Sequence, residues 1–168
     1  MNRARVLLHA IPLLLANRMD PGFPAAGPLE PDLTTHLTWP GGETLTLDFV
    51  RFKPKPGLSE AAIPEWCGVT ITQANAPPQS LVTIGTAHTA LVTCDNLSEA
   101  GIAHRHDGTP EIAAIYNTST PGGPSTAPVV LSRDSNGRFT VDEPTIAALP
   151  HRAHIATLAE LQRLLSAM

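Results

Sequence analysis

Aromatic and basic residues are scarce in this 168-residue chain, which has four Phe, two Trp and one Tyr, and only 11 Lys and Arg in total. With so few aromatic rings, we expect a core of aliphatic side chains and no large aromatic-lined ligand pocket. The formal net charge is -4, and there is no run of basic neighbours that could displace counterions from a phosphate backbone. The composition therefore predicts no nucleic-acid partner.

Common catalytic and cofactor signatures are also missing. The chain contains no glycine-rich phosphate loop, no GxSxG and no HExxH, so we predict no cofactor. Its N-terminal apolar stretch, Val6 to Ala16, has 11 residues, whereas a helix needs about twenty to cross a bilayer. We therefore predict no transmembrane span.

The first 31 residues differ in composition from the rest of the chain. Arg3 and Arg5 precede the apolar stretch, and four prolines follow it between residues 21 and 31. This order is typical either of a flexible leader or of a signal peptide followed by a linker. We assign residues 32–168 to a single globular domain, and the sequence leaves both an exported and a cytoplasmic location open.

Alternating apolar residues predict several strands. The stretch HLTW-PGGE-TLTLDFVRF predicts a hairpin in which Leu45, Leu47, Phe49 and Arg51 share one face. CGVTITQ and SLVTIG predict two further strands, which Pro77-Pro78 should separate because proline cannot donate to a strand ladder. Asn136-Gly137 predicts a tight hairpin in which both residues adopt a positive φ.

Other stretches predict helices and loops. NLSEAG predicts a short helix that ends at Gly101, and TSTPGGPSTA predicts a loop between two strands. Ile155, Leu158, Leu161 and Leu165 recur at helical spacing and predict an amphipathic C-terminal helix. The predicted fold is an α+β domain, mainly antiparallel sheet with this C-terminal helix, and the alternative is an all-β sandwich.

The two cysteines, Cys67 and Cys94, each lie next to a strand-like stretch. Neighbouring strands could bring them within bridging distance, so in an exported protein we predict a disulfide between them. In a reducing compartment both would be small buried residues. If residues 86–94 form one strand, His88 lies about 20 Å from Cys94, too far to activate its thiol.

The stretch ALVTC is similar to the cysteine motif of sortases, which are transpeptidases that use a Cys, a His and an Arg. This resemblance implies that Cys94 is the nucleophile, that Arg105 stabilises the oxyanion and that His36 is the base. His88 is a second candidate base, on the residues alone, for any reaction in which Cys94 attacks a substrate.

Two groups of residues are candidate metal ligands. His104 and His106, together with Asp107, could supply imidazole and carboxylate ligands, as could the pair His151 and His154. None of these spacings matches a familiar zinc motif, and AHRHDG is equally typical of a solvated turn.

The twelve-residue window SRDSNGRFTVDE resembles the calcium loop of the EF-hand family. The resemblance implies that Asp134, Asn136 and Glu143 bind the ion and that Gly137 provides the sharp turn. Because the flanking stretch VVL is strand-like and Pro144 lies where the second helix of an EF-hand would run, we favour a plain hairpin without a metal.

Two functions of different classes remain open. The first is a small non-enzymatic binding or accessory protein of the bacterial type, which contacts an unidentified protein or small molecule through TSTPGGPSTA or AHRHDG. The second is a cysteine-dependent hydrolase or sortase-like transpeptidase that acts through Cys94. We favour the first, because strand spacing separates His88 from Cys94 and a turn without apolar anchors positions His104 and His106 poorly.

Overall fold

The computed structural model describes residues 29–53, 65–85, 92–150 and 155–168. In these ranges the chain forms eight strands and two short helices. The strands are β1 (Leu33–Thr38), β2 (Thr44–Phe52), β3 (Trp66–Gln73), β4 (Ala76–Ile84), β5 (Thr93–His104), β6 (Pro110–Thr120), β7 (Gly123–Arg133) and β8 (Phe139–Val141), and the helices are α1 (Glu143–Ala148) and α2 (Leu158–Leu165).

The strands form two four-stranded sheets, in the orders β1-β2-β3-β4 and β5-β6-β7-β8. Every pair of neighbours is antiparallel and consecutive in sequence. The predicted antiparallel sheets are therefore confirmed, and the fold is mainly β. The predicted α+β class is not confirmed, because the two helices contribute only 6 and 8 residues.

The inward faces of the two sheets share one apolar core. On β2, Leu45, Leu47 and Phe49 are buried at alternate positions, as predicted, whereas Arg51 at the end of the same face is exposed. Ile112 of β6 lies in the same core. The complete cluster of buried residues is Trp39, Leu45, Leu47, Phe49, Cys67, Val69, Ile71, Ile84, Cys94, Ile112, Ala114, Tyr116, Val129, Leu131 and Phe139. The two sheets thus pack face to face.

Aromatic rings contribute more to this core than their number suggested. The ring of Trp39, in the β1–β2 turn, meets that of Phe139 edge-on with centroids 5.3 Å apart. Phe49 and Tyr116 form a similar pair at 6.3 Å. Each pair joins one sheet to the other, so the expectation of a purely aliphatic core was wrong. The few rings that the chain has are concentrated where the sheets meet.

The outward face of the second sheet is covered by both helices. Leu161 and Leu165 of α2 are fully buried and pack on small or branched residues of that sheet. A Cβ atom on Gly101 of β5 would lie only 2.8 Å from Leu158 Cδ2. The glycine therefore permits α2 to approach β5 closely. The buried cluster between helices and sheet is Ala103, Ala113, Ile115, Val130, Leu149, Ile155, Leu161 and Leu165.

The helix predicted for NLSEAG was wrong, because these residues lie in β5. They pair with β6 from Asn96↔Asn117 to Gly101↔Ala113, with register shifts between Cys94 and Asn96 and between Leu97 and Glu99. Local capping residues favour a helix only weakly, and pairing with a buried central strand outweighs that preference.

Two predicted interruptions were also wrong. TSTPGGPSTA forms the adjoining ends of β6 and β7, and only Pro121 and Gly122 lie between these strands. Pro77 and Pro78 lie within β4, where the pairing with β3 shifts register. Because β4 is an edge strand, a missing N–H there need not remove a ladder hydrogen bond.

The predicted hairpin at Asn136-Gly137 joins β7 to β8, with Arg133 paired to Phe139. Gly137 has φ +81°, but no other residue type in the described ranges has a positive φ. Asn136 therefore does not adopt the conformation predicted for it. Instead the Asp134 carboxylate accepts hydrogen bonds from the backbone N–H groups of Asn136 and Arg138, at 2.8 and 2.9 Å.

Replacing Gly137 by Val should lower the free energy of unfolding by about 1 kcal/mol or more, because a β-branched residue resists a positive φ. Asn136→Ala is the matched control and should change it by less than about 0.5 kcal/mol, since Asn136 is exposed and has no positive φ. Urea denaturation measures both. Equal losses in the two variants would contradict this account of the turn.

Candidate functional site

Cys67 of β3 and Cys94 of β5 form a disulfide that connects the two sheets, with Cα atoms 5.8 Å apart. Both residues are buried, and the backbone N–H of Cys94 donates to the carbonyl of Glu65 at 2.8 Å. The prediction that neighbouring strands bring this pair to bridging distance is confirmed. The Cys94 sulfur is bonded to Cys67 and is therefore not a free thiol here.

The residues implied by the sortase resemblance are not brought together. Arg105 follows the far end of β5, and eleven residues of extended chain, at about 3.3 Å each, separate it from Cys94 by roughly 36 Å. His36 is exposed on β1, where its Nδ1 lies 3.1 Å from Thr46 Oγ1. Its strand neighbour Leu37 packs against the core instead. The fourth candidate, His88, lies outside the described residues.

The histidine metal candidates lie at the β5–β6 turn. His104 and His106 are both exposed. The Asp107 carboxylate accepts a hydrogen bond from the Thr109 backbone N–H at 2.8 Å, which lowers the pKa of Asp107. In the four described ranges, no three His, Cys, Asp or Glu side chains are grouped so that they could hold a metal. His151 and His154 lie outside those ranges.

The calcium-loop candidates are divided between two structures. Asp134 and Asn136 lie in the β7–β8 turn, where the Asp134 carboxylate is engaged by backbone N–H groups. Glu143 is the first residue of α1, after β8 has ended. The window therefore folds as a hairpin, as favoured from its flanks, followed by the start of α1. The expectation that Pro144 opposes a helix here was wrong, because proline is tolerated in the first turn of a helix.

Arg105 is the centre of a partly buried ionic cluster, formed with Glu111, Asp142 and Thr145. Its Nε donates to Glu111 Oε1 at 2.6 Å, and one terminal nitrogen donates to Thr145 Oγ1 at 2.6 Å and also to the Asp142 carboxylate. Asp142 caps α1 by accepting from the Thr145 backbone N–H. Arg105 thus ties the β5–β6 turn to α1.

Glu111 is fully buried, and its Oε2 has no hydrogen-bond partner among the described residues. Burial penalises the charged carboxylate and raises the pKa of Glu111, although the hydrogen bond from Arg105 opposes the change. Sequence reasoning missed this residue. In EIAAIYN it is a single acid before an apolar strand, with no motif around it.

A cavity of about 230 Å³ opens at the side of the molecule where β1 and β5 are the edge strands of their sheets. We call it the edge cavity. Its inner wall includes the buried rings of Phe49 and Tyr116, and Leu33, which is 46% exposed, stands at its outer rim. Its full lining is Asp32, Leu33, Phe49, Val50, Cys67, Asn96, Leu97 and Tyr116. Most of the wall is therefore apolar.

Irregular strand pairing shapes one wall of the edge cavity. Asn96 and Leu97 lie between the two register shifts of β5. Breaks of this kind in a strand ladder, of which β-bulges are one form, bend a strand and redirect its side chains. The Asn96 side-chain oxygen accepts from the Asn117 amide at 2.8 Å, which holds the Asn96 side chain at the rim.

The polar rim is completed by Asp32 and the side chains near it. Arg51 Nε lies 3.8 Å from the Asp32 carboxylate and 3.5 Å from that of Glu65. A terminal nitrogen of Arg51 donates to the carbonyl of Asp95, at 2.8 Å. The Arg51 guanidinium thus interacts with two carboxylates and one carbonyl, and through Asp95 it links the first sheet to the second.

Sequence reasoning did not identify the edge cavity. Its residues come from five strands and the segment before β1, and none belongs to a motif. Asp32 was assigned only as the start of the domain. Of the predicted leader, residues 29–31 are described, and Leu29 packs against Val50 and Phe52.

Comparison with known proteins gives no match: no family model, no curated protein and no solved structure is significantly similar to this chain. In the part of the chain that the structure describes, no helix is long and apolar enough to cross a membrane.

Reducing the disulfide should lower the free energy of unfolding by about 3 to 4 kcal/mol, since the bond closes a loop with a sequence separation of 27. Urea midpoints with and without reductant measure this.

Alkylation tests the state of the two cysteines. Iodoacetamide should add no label to the native protein, and after reduction in denaturant it should label both cysteines. If non-reduced protein instead labels quickly at Cys94, and His36→Ala or His88→Ala slows that labelling about tenfold, a thiol–imidazole pair exists.

Glu111→Gln should alter how stability depends on pH. The folded-state pKa of Glu111 is above its ordinary value of 4.5, so the folded protein binds more protons than the unfolded chain between those two pKa values. The contribution of Glu111 to the free energy of unfolding is therefore most favourable at low pH, and it declines as the pH rises between these two pKa values. Relative to wild type, Glu111→Gln should become more stable as pH rises.

Asp107→Asn is the control for this pH series, because the pKa of Asp107 is lowered instead. Its stabilising contribution is present above the unfolded pKa and is lost as pH falls, which is the opposite sign. Urea unfolding from about pH 4 to 8 covers the window of Glu111. The window of Asp107 lies below its ordinary pKa of 3.8, so Asp107→Asn should show almost no pH trend relative to wild type over this range. The same pH trend in both variants would contradict the assignment of a raised pKa to Glu111.

Proposed function

We propose that this chain is a non-enzymatic binding module whose edge cavity receives one apolar group of a small molecule. The observation that carries the proposal is an open cavity with an apolar interior and a polar rim, placed between two sheets. Small-molecule sites commonly combine apolar walls with a few polar groups that orient the ligand.

The size of the edge cavity supports an occupant with one ring. An apolar cavity of roughly 150 Å³ is sufficient for benzene, and the volume here is about 230 Å³. Phe49 and Tyr116 would contact such a ring, while Leu33 and Leu97 would cover its sides. The Tyr116 hydroxyl already accepts a hydrogen bond from Thr83 at 3.0 Å, so this ring is held in place.

The walls of the cavity are held by strong constraints. Cys67 lines the cavity and is bonded to Cys94 on the facing sheet. Arg51 also links the two sheets at the rim through Asp95. A site whose walls are fixed before binding loses less entropy when it takes up a ligand. This favours a binding role for the cavity.

A binding role also agrees better with the placement of the chemically reactive candidates. Asp32 and Asn96 are the polar groups of the cavity wall, and no nucleophile is paired with a base among its lining residues. The cysteine-dependent hydrolase or transpeptidase remains the alternative proposal. It requires a reduced Cys94, and the alkylation experiment above tests it.

Benzyl alcohol is a suitable neutral probe. In amide NMR spectra of the full chain, it should shift the backbone signals of Leu33, Val50 and Leu97 in a saturable manner. We expect a dissociation constant on the order of 1 mM for a ligand of this size. Leu97→Trp should abolish the shifts, because the indole fills the cavity.

Thr38→Trp is the matched control, since Thr38 is exposed on β1 and does not line the edge cavity. This variant should bind benzyl alcohol as wild type does. Thermal melts would establish that both Trp variants fold. The proposal fails if benzyl alcohol leaves the cavity residues unshifted, or if folded Leu97→Trp still binds it at the same residues.

A further inference from the structure

The charges at the rim of the edge cavity are unequally matched. The side chain of Asp32 is 45% exposed, and the nearest cation in the described ranges, Arg51, is 3.8 Å away. That guanidinium is closer to Glu65, at 3.5 Å, and also donates to the Asp95 carbonyl. Among the described residues, two carboxylates share one positive charge, so the described part of the rim has an excess of negative charge.

The Asp32 carboxylate is also free to accept hydrogen bonds from a ligand. Among the described residues, the only polar partner of this carboxylate is Arg51, at a distance beyond ordinary hydrogen-bond range. The backbone N–H of Asp32 is engaged with the Phe49 carbonyl at 2.8 Å, which holds this residue beside β2. Its carboxylate therefore has a defined position and unused acceptor capacity.

We infer that the edge cavity selects a small primary amine that carries an apolar ring over a neutral molecule of the same shape. This inference rests on the proposed function. The ring occupies the interior against Phe49 and Tyr116, and the ammonium group lies at the rim, where it donates to Asp32. The charge of the amine complements the excess negative charge that Asp32 and Glu65 leave beside Arg51.

The rim is partly exposed, so the preference should be modest. A solvent-exposed ion pair typically contributes about 1 kcal/mol or less, which corresponds to about fivefold in affinity. The contribution should also decrease with salt, because exposed charges are screened. A large preference would require a buried carboxylate, which Asp32 is not.

Benzylamine and benzyl alcohol have the same ring and differ only in the group that reaches the rim. That group is an ammonium in benzylamine at neutral pH and a hydroxyl in benzyl alcohol. In NMR titrations of the wild-type chain, benzylamine should bind about fivefold more tightly than benzyl alcohol. Asp32→Asn should reduce this ratio to about one by weakening benzylamine alone. Glu30→Gln is the matched control, because it removes an exposed carboxylate two residues away and should leave the ratio unchanged.

Ionic strength gives a second measurement that needs no variant. The preference of wild type for benzylamine should shrink between about 20 mM and 500 mM salt, because the Debye length falls well below 10 Å. Equal binding of both probes at low salt would overturn the inference and leave the proposed function intact, as would a preference that survives in Asp32→Asn. If neither probe binds at the cavity, the proposed function fails as well.

Discussion

The structure depends on one apolar layer, shared by the inward faces of two sheets that have no strand in common. Neither sheet could remain folded with that face in water, because each carries a continuous set of buried aliphatic and aromatic side chains. Edge-on contacts of Trp39 with Phe139 and of Phe49 with Tyr116 join the layer from both sides. The Cys67–Cys94 bond adds a covalent link across it.

The edge cavity is a direct consequence of how this layer ends. At this side of the molecule, β1 and β5 are the edge strands of their sheets, and register shifts interrupt the regular pairing of β5 with β6. The disulfide and Arg51 hold the sheets together at this point, so the interior remains open while its walls stay in place. Apolar surface and carboxylates thus meet in one small opening, which is the basis of the proposed binding role.

The outward face of the second sheet is stabilised differently. There, α1 and α2 cover small and branched residues, and the cluster of Arg105, Glu111 and Asp142 joins the β5–β6 turn to the start of α1. A buried carboxyl with an unpaired oxygen is costly unless it is protonated or otherwise compensated. Burial raises the pKa of Glu111, and this carboxyl lies on the side of the sheet opposite to the edge cavity.

The sequence by itself determined the parts of this protein that depend on short-range pattern. Alternation along β2 identified the buried residues Leu45, Leu47 and Phe49, and Asn136-Gly137 located the last hairpin, because side-chain alternation and turn chemistry act over a few residues. The strand-like stretches beside Cys67 and Cys94 also indicated that the two cysteines could meet.

Only the tertiary structure decided what depends on pairing between distant segments. NLSEAG has helix-capping residues, yet it is a strand because β6 pairs with it. Arg105 was singled out for catalysis, yet it lies at the other end of β5 from Cys94 and binds Glu111. The edge cavity combines Asp32 and Phe49 with Leu97 and Tyr116, which are far apart in sequence. The packing of the two sheets brings these residues together, and no local sequence pattern encodes which distant residues will meet.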